Sequence, residues 1–313
     1  EIYTLSLHDA LPIFIDRPVV NEYVELLWSM FKHLGIQQKR KPREFQLYLT
    51  HDVDHIEYWK KPTKVLRAIA KDLIRKLDVI SALKHMHEYY QVKQNMKKDP
   101  YDTFDELMDL SESINVQSRF YFMSGGTTRY DNYYSIAEPK AKKIIDEIKK
   151  RGHIIGFHPS YNTYNNHEQW SKEKVLLENV LEDEIAEGRQ HFLRFEVPKT
   201  WQIWNDHHMV MDTTLSYADR EGFRCGTCYE YSVFNILTRK KLRLKENPLI
   251  VMEGSFYTYQ KSSPEYMNNK IKQLIKIVER YKGNFVLLWH NSSFNIGEWK
   301  NYQHIYSRSE ERR

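Results

Sequence analysis

Only two cysteines, Cys225 and Cys228, occur in the 313 residues. Two cannot build the disulfide framework of a small secreted domain. Their C-x-x-C spacing would suit a metal or redox site, but a structural zinc site needs about four ligands and no second pair exists. They are therefore assigned to packing. Long apolar runs are also missing: none approaches the roughly 20 residues of a membrane span. No signal peptide is visible, and there is no short-period repeat or low-complexity tract to suggest a solenoid or a disordered arm. Charge of one sign is scarce overall. A net charge of +5 argues for solubility and gives no case for a nucleic-acid partner.

What is present is a globular composition, 41% hydrophobic and 28% charged, long enough for one barrel or two ordinary domains. Aromatics are abundant, with 22 Tyr, 14 Phe and 7 Trp. They fit a heavily aromatic core or a site where sugar faces stack on rings, and composition alone favours the core. The two ends read as foreign. Thr4 to Ile13 resembles one frame of a sequencing adapter and Arg308 to Arg313 the complementary strand, so residues 1–13 and 308–313 are set aside as artefacts. His8-Asp9 is then no metal motif. Residues 14–44 become the remnant of an upstream region or linker, and 45–307 the folded unit. A cytoplasmic location is expected, with export left open because the true N-terminus is missing; the oligomeric state is not legible.

Strands and helices alternate along that unit. Strands are expected at Phe45 to Leu49, Arg119 to Met123, Ile154 to His158, Gln190 to Phe195, Thr214 to Tyr217, Leu249 to Glu253 and Phe285 to Trp289. Between them, Thr103 and Glu106 make a capping box before Phe104, Leu107, Leu110 and Ile114 at helical spacing. A helix through Ile144, Ile145 and Ile148 stops at Gly152, one from Ser171 runs toward Gly188, a shorter one spans about Ile203 to Met211, and one from Pro264 stops at Gly283. Repeated β–α units predict an α/β fold with a parallel sheet, open or closed into a barrel. Lys61 to Lys98 is a basic, amphipathic helical insertion between the first two strands, its charge read as a solvated face.

Polar residues fall where such a fold gathers its chemistry. Asp52 and Asp54 lie just beyond the first strand, His158 at the end of the third, Arg194 near the end of the fourth and His290 at the end of the last. C-terminal strand ends of parallel sheets converge on one face. Taken singly, each residue could cap a helix or pack in the core; five arriving together are hard to explain as packing. His51-Asp52 could also suggest the His-Asp pair of metal phosphohydrolases, but that pair belongs to helices and this one follows a strand.

At this level the sequence resembles the NodB-like polysaccharide deacetylases. Leu49-Thr50-His51-Asp52-Val53-Asp54 is similar to their first motif, in a bacterial variant with one residue between the aspartates. Gly152 to Ser160 resembles the second motif, Arg194-Phe195-Glu196-Val197-Pro198 the third, Asp212 to Thr227 the fourth and Leu287-Leu288-Trp289-His290 the fifth. The resemblance implies a distorted, incomplete (β/α) barrel that removes N-acetyl groups from a sugar polymer or glycan precursor. It implies a divalent metal, zinc first and cobalt, nickel or manganese also suited, held by Asp54 and His158. Asp52 would be the base, Arg194 its partner, and His290 the acid that protonates the leaving nitrogen. Leu288 or Trp289 would hold the acetyl methyl.

One position departs from the family pattern. Where a second histidine is expected four residues after His158, this chain has Asn162. Asn162 is taken as the third ligand, with His153 and His167 as alternatives and a metal-poor, inactive site as another. The fourth motif lacks its usual tryptophan, and Arg224 is expected to take part of its orienting role. Tyr161, Tyr164, Trp170, Trp201 and Trp204 flank the motifs as sugar platforms or as core. Two rival functions stay open: a degenerate barrel that binds glycans without hydrolysing them, and a deacetylase of small non-carbohydrate amides.

Overall fold

The computed structural model describes residues 14–60, 62–75, 77–131 and 134–310. The adapter-like N-terminal stretch, with His8-Asp9, and Glu311 to Arg313 lie outside them. Among the described residues nine strands form one open sheet in the order β6-β7-β5-β4-β3-β2-β1-β9-β8. They are β1 (Gln46–Val53), β2 (Ser118–Phe122), β3 (Ile154–Phe157), β4 (Glu187–Gly188), β5 (Met211–Asp212), β6 (Tyr231–Asn235), β7 (Lys240–Glu246), β8 (Val251–Met252) and β9 (Asn284–Leu288). All neighbours are parallel except the β6–β7 hairpin. The sheet does not close: of the open or closed parallel sheet that the repeated β–α units allowed it is the open one, in keeping with the incomplete barrel that the resemblance implied.

The helices follow in chain order: α1 (Val19–His33), α2 (Pro62–Ala70), α3 (Val79–Lys93), α4 (Phe104–Ser113), α5 (Pro139–Lys150), α6 (His167–Leu181), α7 (Lys199–Asp206), α8 (Pro264–Tyr281) and α9 (Gln303–Glu310). The apolar stripe of α8, Met267, Ile271, Leu274, Ile275 and Val278, is buried. Ser263 caps its N-terminus through the Tyr266 amide, as an Ncap serine does. Gly152 at φ +76° ends α5, a conformation glycine adopts without strain. Trp59, Trp170, Trp204 and Trp289 are fully buried, so much of the aromatic surplus is core. Cys225 and Cys228 are both free, and burial pushes each thiol up to about 12. That fits packing and not reactive-thiol chemistry.

Several expected elements differ. Gln190 to Phe195 is no strand: β4 ends at Gly188 and a 3-10 turn, His191–Leu193, follows. Phe192 and Leu193 sit in the left-handed region at φ 57° and 52°, which a strand cannot contain. The Thr103 capping box does not form. Thr103 Oγ1 donates to the Asn291 carbonyl oxygen and Glu106 accepts from Asn295, so tertiary partners outbid the local cap. Helix α6 begins at His167, capped by Asn166, and stops at Glu182 in the left-handed region, well before Gly188. The β6–β7 hairpin adds a sheet edge beyond the expected strands. Residues 14–44 carry α1, which packs on the 222–228 loop: the Val20 amide donates to the Gly226 carbonyl oxygen and the Cys228 amide to Asn21.

Candidate metal and catalytic centre

Side chains alternate along a strand, and in β1 the alternation divides the first motif. His51 points to the helix side. Its Nδ1 lies 2.7 Å from the Trp289 carbonyl oxygen and its Nε2 3.2 Å from Ser118 Oγ. Burial lowers its pKa to about 4, so it is a neutral structural histidine. Asp52 and Asp54 point the other way, toward Arg189 and His158.

Asp52 is 2% exposed and its Oδ1 accepts from Arg189 Nη1 at 2.9 Å. Arg189 is fully buried and its Nε donates to the Thr213 carbonyl oxygen. The expected partner, Arg194, is elsewhere. Its guanidinium lies 3.9 Å from the Tyr161 ring centroid and 4.1 Å from that of Tyr164, and it donates to the Tyr161 carbonyl oxygen and to Asn162 Oδ1. The arginine pairing with Asp52 is therefore Arg189, five residues upstream. Gly188 makes this placement possible, because a Cβ there would sit 2.0 Å from the Phe157 carbonyl oxygen. β4 can thus approach β3 closely and deliver Arg189 beneath Asp52.

Asp54, His158 and His191 form a second group whose ligand atoms all lie within 4.8 Å of one another. His158 Nε2 is 3.3 Å and His191 Nε2 3.6 Å from Asp54 Oδ1. His158 Nδ1 faces the Arg189 carbonyl oxygen at 2.7 Å. That oxygen can only accept, so Nδ1 carries the proton and a neutral His158 presents a bare Nε2 to the group. Two acceptors, His158 Nε2 and Asp54 Oδ1, then face each other and repel unless a proton or cation lies between them. Asp54 Oδ1 is buried with no hydrogen-bond donor. Burial would raise the Asp54 pKa, but the His158 contact and the charges of His191, His290 and His158 outweigh it and hold the carboxyl well below the ordinary range. For His158, burial is outweighed by the charges of Asp52 and Asp54, and its pKa is raised. One carboxylate oxygen and two imidazoles are a donor set for zinc or a similar divalent ion. Asp131 stands behind it, its Oδ1 3.6 Å from His191 Nδ1, where a carboxylate orients a ligating histidine.

Asn162 does not join this group, because its carbonyl oxygen accepts from Arg194; His191 stands in its stead. His153 is at the opposite end of β3, between the Ser118 amide and Glu112, and His167 packs against His207 with the rings tilted at 42°. The strand expected at Gln190 to Phe195 hid His191. The sequence Gly188-Arg189-Gln190-His191 carried both missed residues directly after a strand-pairing glycine.

His290 completes the centre from β9. Its Nδ1 is 2.6 Å from Glu253 Oε1, which also accepts the His290 amide at 3.0 Å, and its Nε2 lies 3.7 Å from Asp54 Oδ2. Burial would lower its pKa, but the charge and hydrogen bond of Glu253 and the charges of Asp54 and Asp52 raise it to about 10. Glu253, at the end of β8, was not anticipated. Leu288 shares the face of Thr50 in the parallel register and packs with Leu193 and Met252. Trp289 is on the other side, donating to the Ser293 carbonyl oxygen and packing on Tyr306. Arg224 donates to the Ser216 carbonyl oxygen, and it is Arg189 that contacts Asp52. Trp170, Trp201 and Trp204 are buried core. Beside His191, Tyr130, Tyr161 and Phe192 form an aromatic group with centroids 4.6–5.5 Å apart; Phe192 is 53% exposed.

No protein-family model matches the sequence, and no curated protein is significantly similar to it. Among solved structures, a Mycobacterium smegmatis protein assigned to the polysaccharide deacetylases superposes with a TM-score of 0.54 at 13% identity, covering 88% of this chain and 86% of its own. The chain has the polysaccharide deacetylase fold. Fainter likenesses extend to a polysaccharide deacetylase of Bacillus cereus (TM-score 0.40, 10% identity, 85% and 87% covered) and to a CE4 family pseudoenzyme from Bacillus anthracis (TM-score 0.42, 10% identity, 89% and 66% covered). No helix among the described residues is long and apolar enough to cross a membrane.

Proposed function

We propose that this chain is a metal-dependent hydrolase that removes N-acetyl groups from a glycan. The observation that carries it is the meeting of Asp54, His158 and His191 within 4.8 Å, with an arginine-bound Asp52 on one side and a Glu253-bound His290 on the other. Asp54, His158 and His191 would hold the ion. A divalent cation bound there supplies Lewis acidity and brings the pKa of water toward about 7.

The chain's own groups supply the rest. Asp52, whose Oδ2 is 3.8 Å from His158 Nδ1, takes the proton of the attacking water, and Arg189 fixes its rotamer. Glu253 binds Nδ1 of His290, so Nε2–H is turned toward the reacting bond and donates to the leaving nitrogen. Acetic acid and the free amine depart, and the proton taken by Asp52 balances the one given by His290. Leu288 lies on the right face to contact an acetyl methyl. The Tyr130, Tyr161 and Phe192 group supports a sugar over a small linear amide, because ring faces pack on sugar C–H surfaces.

A glycan-binding barrel without hydrolysis would follow from a defective donor set, and Asn162 was the reason to expect one. His191 supplies the missing imidazole, which favours the enzyme. Acetate release from chitin oligomers and peptidoglycan fragments, with and without chelator, tests the proposal. Chelator-sensitive release that is lost in Asp52→Asn and His290→Ala is expected. Release that survives chelation, or survives either substitution, defeats it.

A further inference from the structure

The helical insertion between β1 and β2 holds a feature that the catalytic proposal does not use. Residues 61–98 carry ten Lys and Arg against three Asp and Glu, so this segment is net +7 while the rest of the chain is net −2. All of the chain's excess positive charge lies here.

The insertion is a helical hairpin, α2 continued by a π-helical turn (Lys71–Arg75) and then α3. Its inner side is settled by Val65, Ala82 and the Asp72–His85 pair at 2.8 Å, and the buried Trp59 meets the His85 and Tyr89 rings edge-on. Its outer side is apolar and open. Ile74, Leu77, Ile80 and Leu83 are 77%, 85%, 67% and 55% exposed, and Leu66 and Met86 extend the stripe along both helices. Leu77 holds φ +52° at the turn. Glycine or asparagine would adopt that conformation with less strain, so the sequence places a large apolar side chain at an exposed tip at a cost to the fold. Arg67, Lys84 and Lys93 are exposed among the apolar residues.

We propose that this hairpin docks on an anionic lipid surface. Apolar side chains mixed with lysine and arginine on one exposed helical face are the pattern of interfacial binding. The charge decides the occupant. A second copy meeting the hairpin isologously would set one segment of net charge +7 against another, whereas anionic headgroups attract juxtaposed cations. The hairpin leaves the sheet at the C-terminal end of β1, and its base is tied to the centre. Asn291, adjacent to His290, donates to the His55 and Tyr101 carbonyl oxygens. Docking would therefore hold the mouth of the barrel toward a bilayer, and it stands whether or not the chain is a deacetylase.

Co-sedimentation of the full chain with phosphatidylcholine vesicles, with and without phosphatidylglycerol, tests this. Binding to the phosphatidylglycerol vesicles that weakens with added salt is expected. Ile74→Ser with Ile80→Ser should weaken it by about tenfold or more, and Arg67→Glu with Lys84→Glu should abolish the preference for anionic lipid. All four positions are exposed, and thermal melting by circular dichroism confirms that the variants fold. Absence of vesicle binding, or binding unchanged in both variants, overturns the proposal. So does a dimer in gel filtration that the isoleucine variant dissociates without any vesicle binding, because the occupant is then a second copy.

Discussion

Arg189 and Asp52 form an ion pair at 2.9 Å with both side chains buried, while Arg194 is sandwiched between two tyrosines at the rim. Removing one partner of a buried pair strands the other charge, at a cost of about 3–5 kcal/mol. Arg194→Ala gives up cation–π contacts of about 0.5–2 kcal/mol. Urea denaturation should therefore show Arg189→Ala destabilised by the larger amount and Arg194→Ala by the smaller. Arg189→Lys should fold but lose most activity, because an ammonium cannot reach both Asp52 and the Thr213 carbonyl oxygen. Equal loss of stability in the two alanine variants would contradict the pairing.

Metal affinity separates the two candidates for the third ligand. His191 Nε2 lies 3.6 Å from Asp54 Oδ1, whereas Asn162 Oδ1 accepts from Arg194. Losing a direct ligand should exceed the 10–100-fold that an outer partner costs. Titration with Zn2+, followed calorimetrically, should show His191→Ala weakened by more than about 100-fold and Asn162→Ala near the parent. The reverse order would restore Asn162 as the ligand. Asp131→Asn should fall between them, since Asp131 touches the set only through His191.

These contrasts mark where sequence and structure part company. Asp52, Asp54, His158 and His290 were legible because each follows an apolar run long enough to be read as a strand. Arg189 and His191 were not, because β4 is only the two residues Glu187–Gly188, too short for a period-2 signal. The apolar and aromatic residues of His191 to Phe195 imitate a strand, while the left-handed pair Phe192 and Leu193 turns the chain instead. Thr103 and Glu106 had the spacing of a capping box but found stronger tertiary partners, which no local pattern reveals. The β6–β7 hairpin could have been found: in Lys240–Glu246 the buried Leu242, Leu244 and Glu246 alternate with more exposed neighbours, the mark of a strand with one covered face.

The Glu253–His290 pair gives a pH dependence of defined sign. The folded pKa of His290 is raised to about 10, above the ordinary histidine value near 6.5. The stability it contributes is then fully present below about 6.5 and is lost as pH rises through about 10. In metal-free protein, thermal stability should fall between pH 7 and 10, and fall less in Glu253→Gln, which removes the largest raising influence. NMR titration of the His290 ring should show its midpoint moving down in that variant. An unmoved midpoint would mean that Glu253 does not set the protonation of His290.

Beneath Arg189, burial raises two more carboxyls. Asp212 is lifted to about 6, and Glu246 well above its ordinary range by burial and by the charge of Asp212. Both are fully buried: Glu246 accepts from the Leu215 amide and Trp201 Nε1, and Asp212 from Thr214. A carboxyl whose folded pKa is raised binds its proton more tightly in the native state. Stability therefore declines as pH climbs from the unfolded value, about 4, toward the folded one. Glu246→Gln keeps the shape and one of the two accepted hydrogen bonds, because its amide NH2 cannot accept from the second donor; it removes the titration and spares Asp212 a neighbouring charge. Chemical denaturation at pH 5 and pH 7 should show the parent losing stability over that interval and Glu246→Gln losing less. An unchanged loss in the variant would show that Glu246 is ionised in the native state and that Arg189 neutralises the pair.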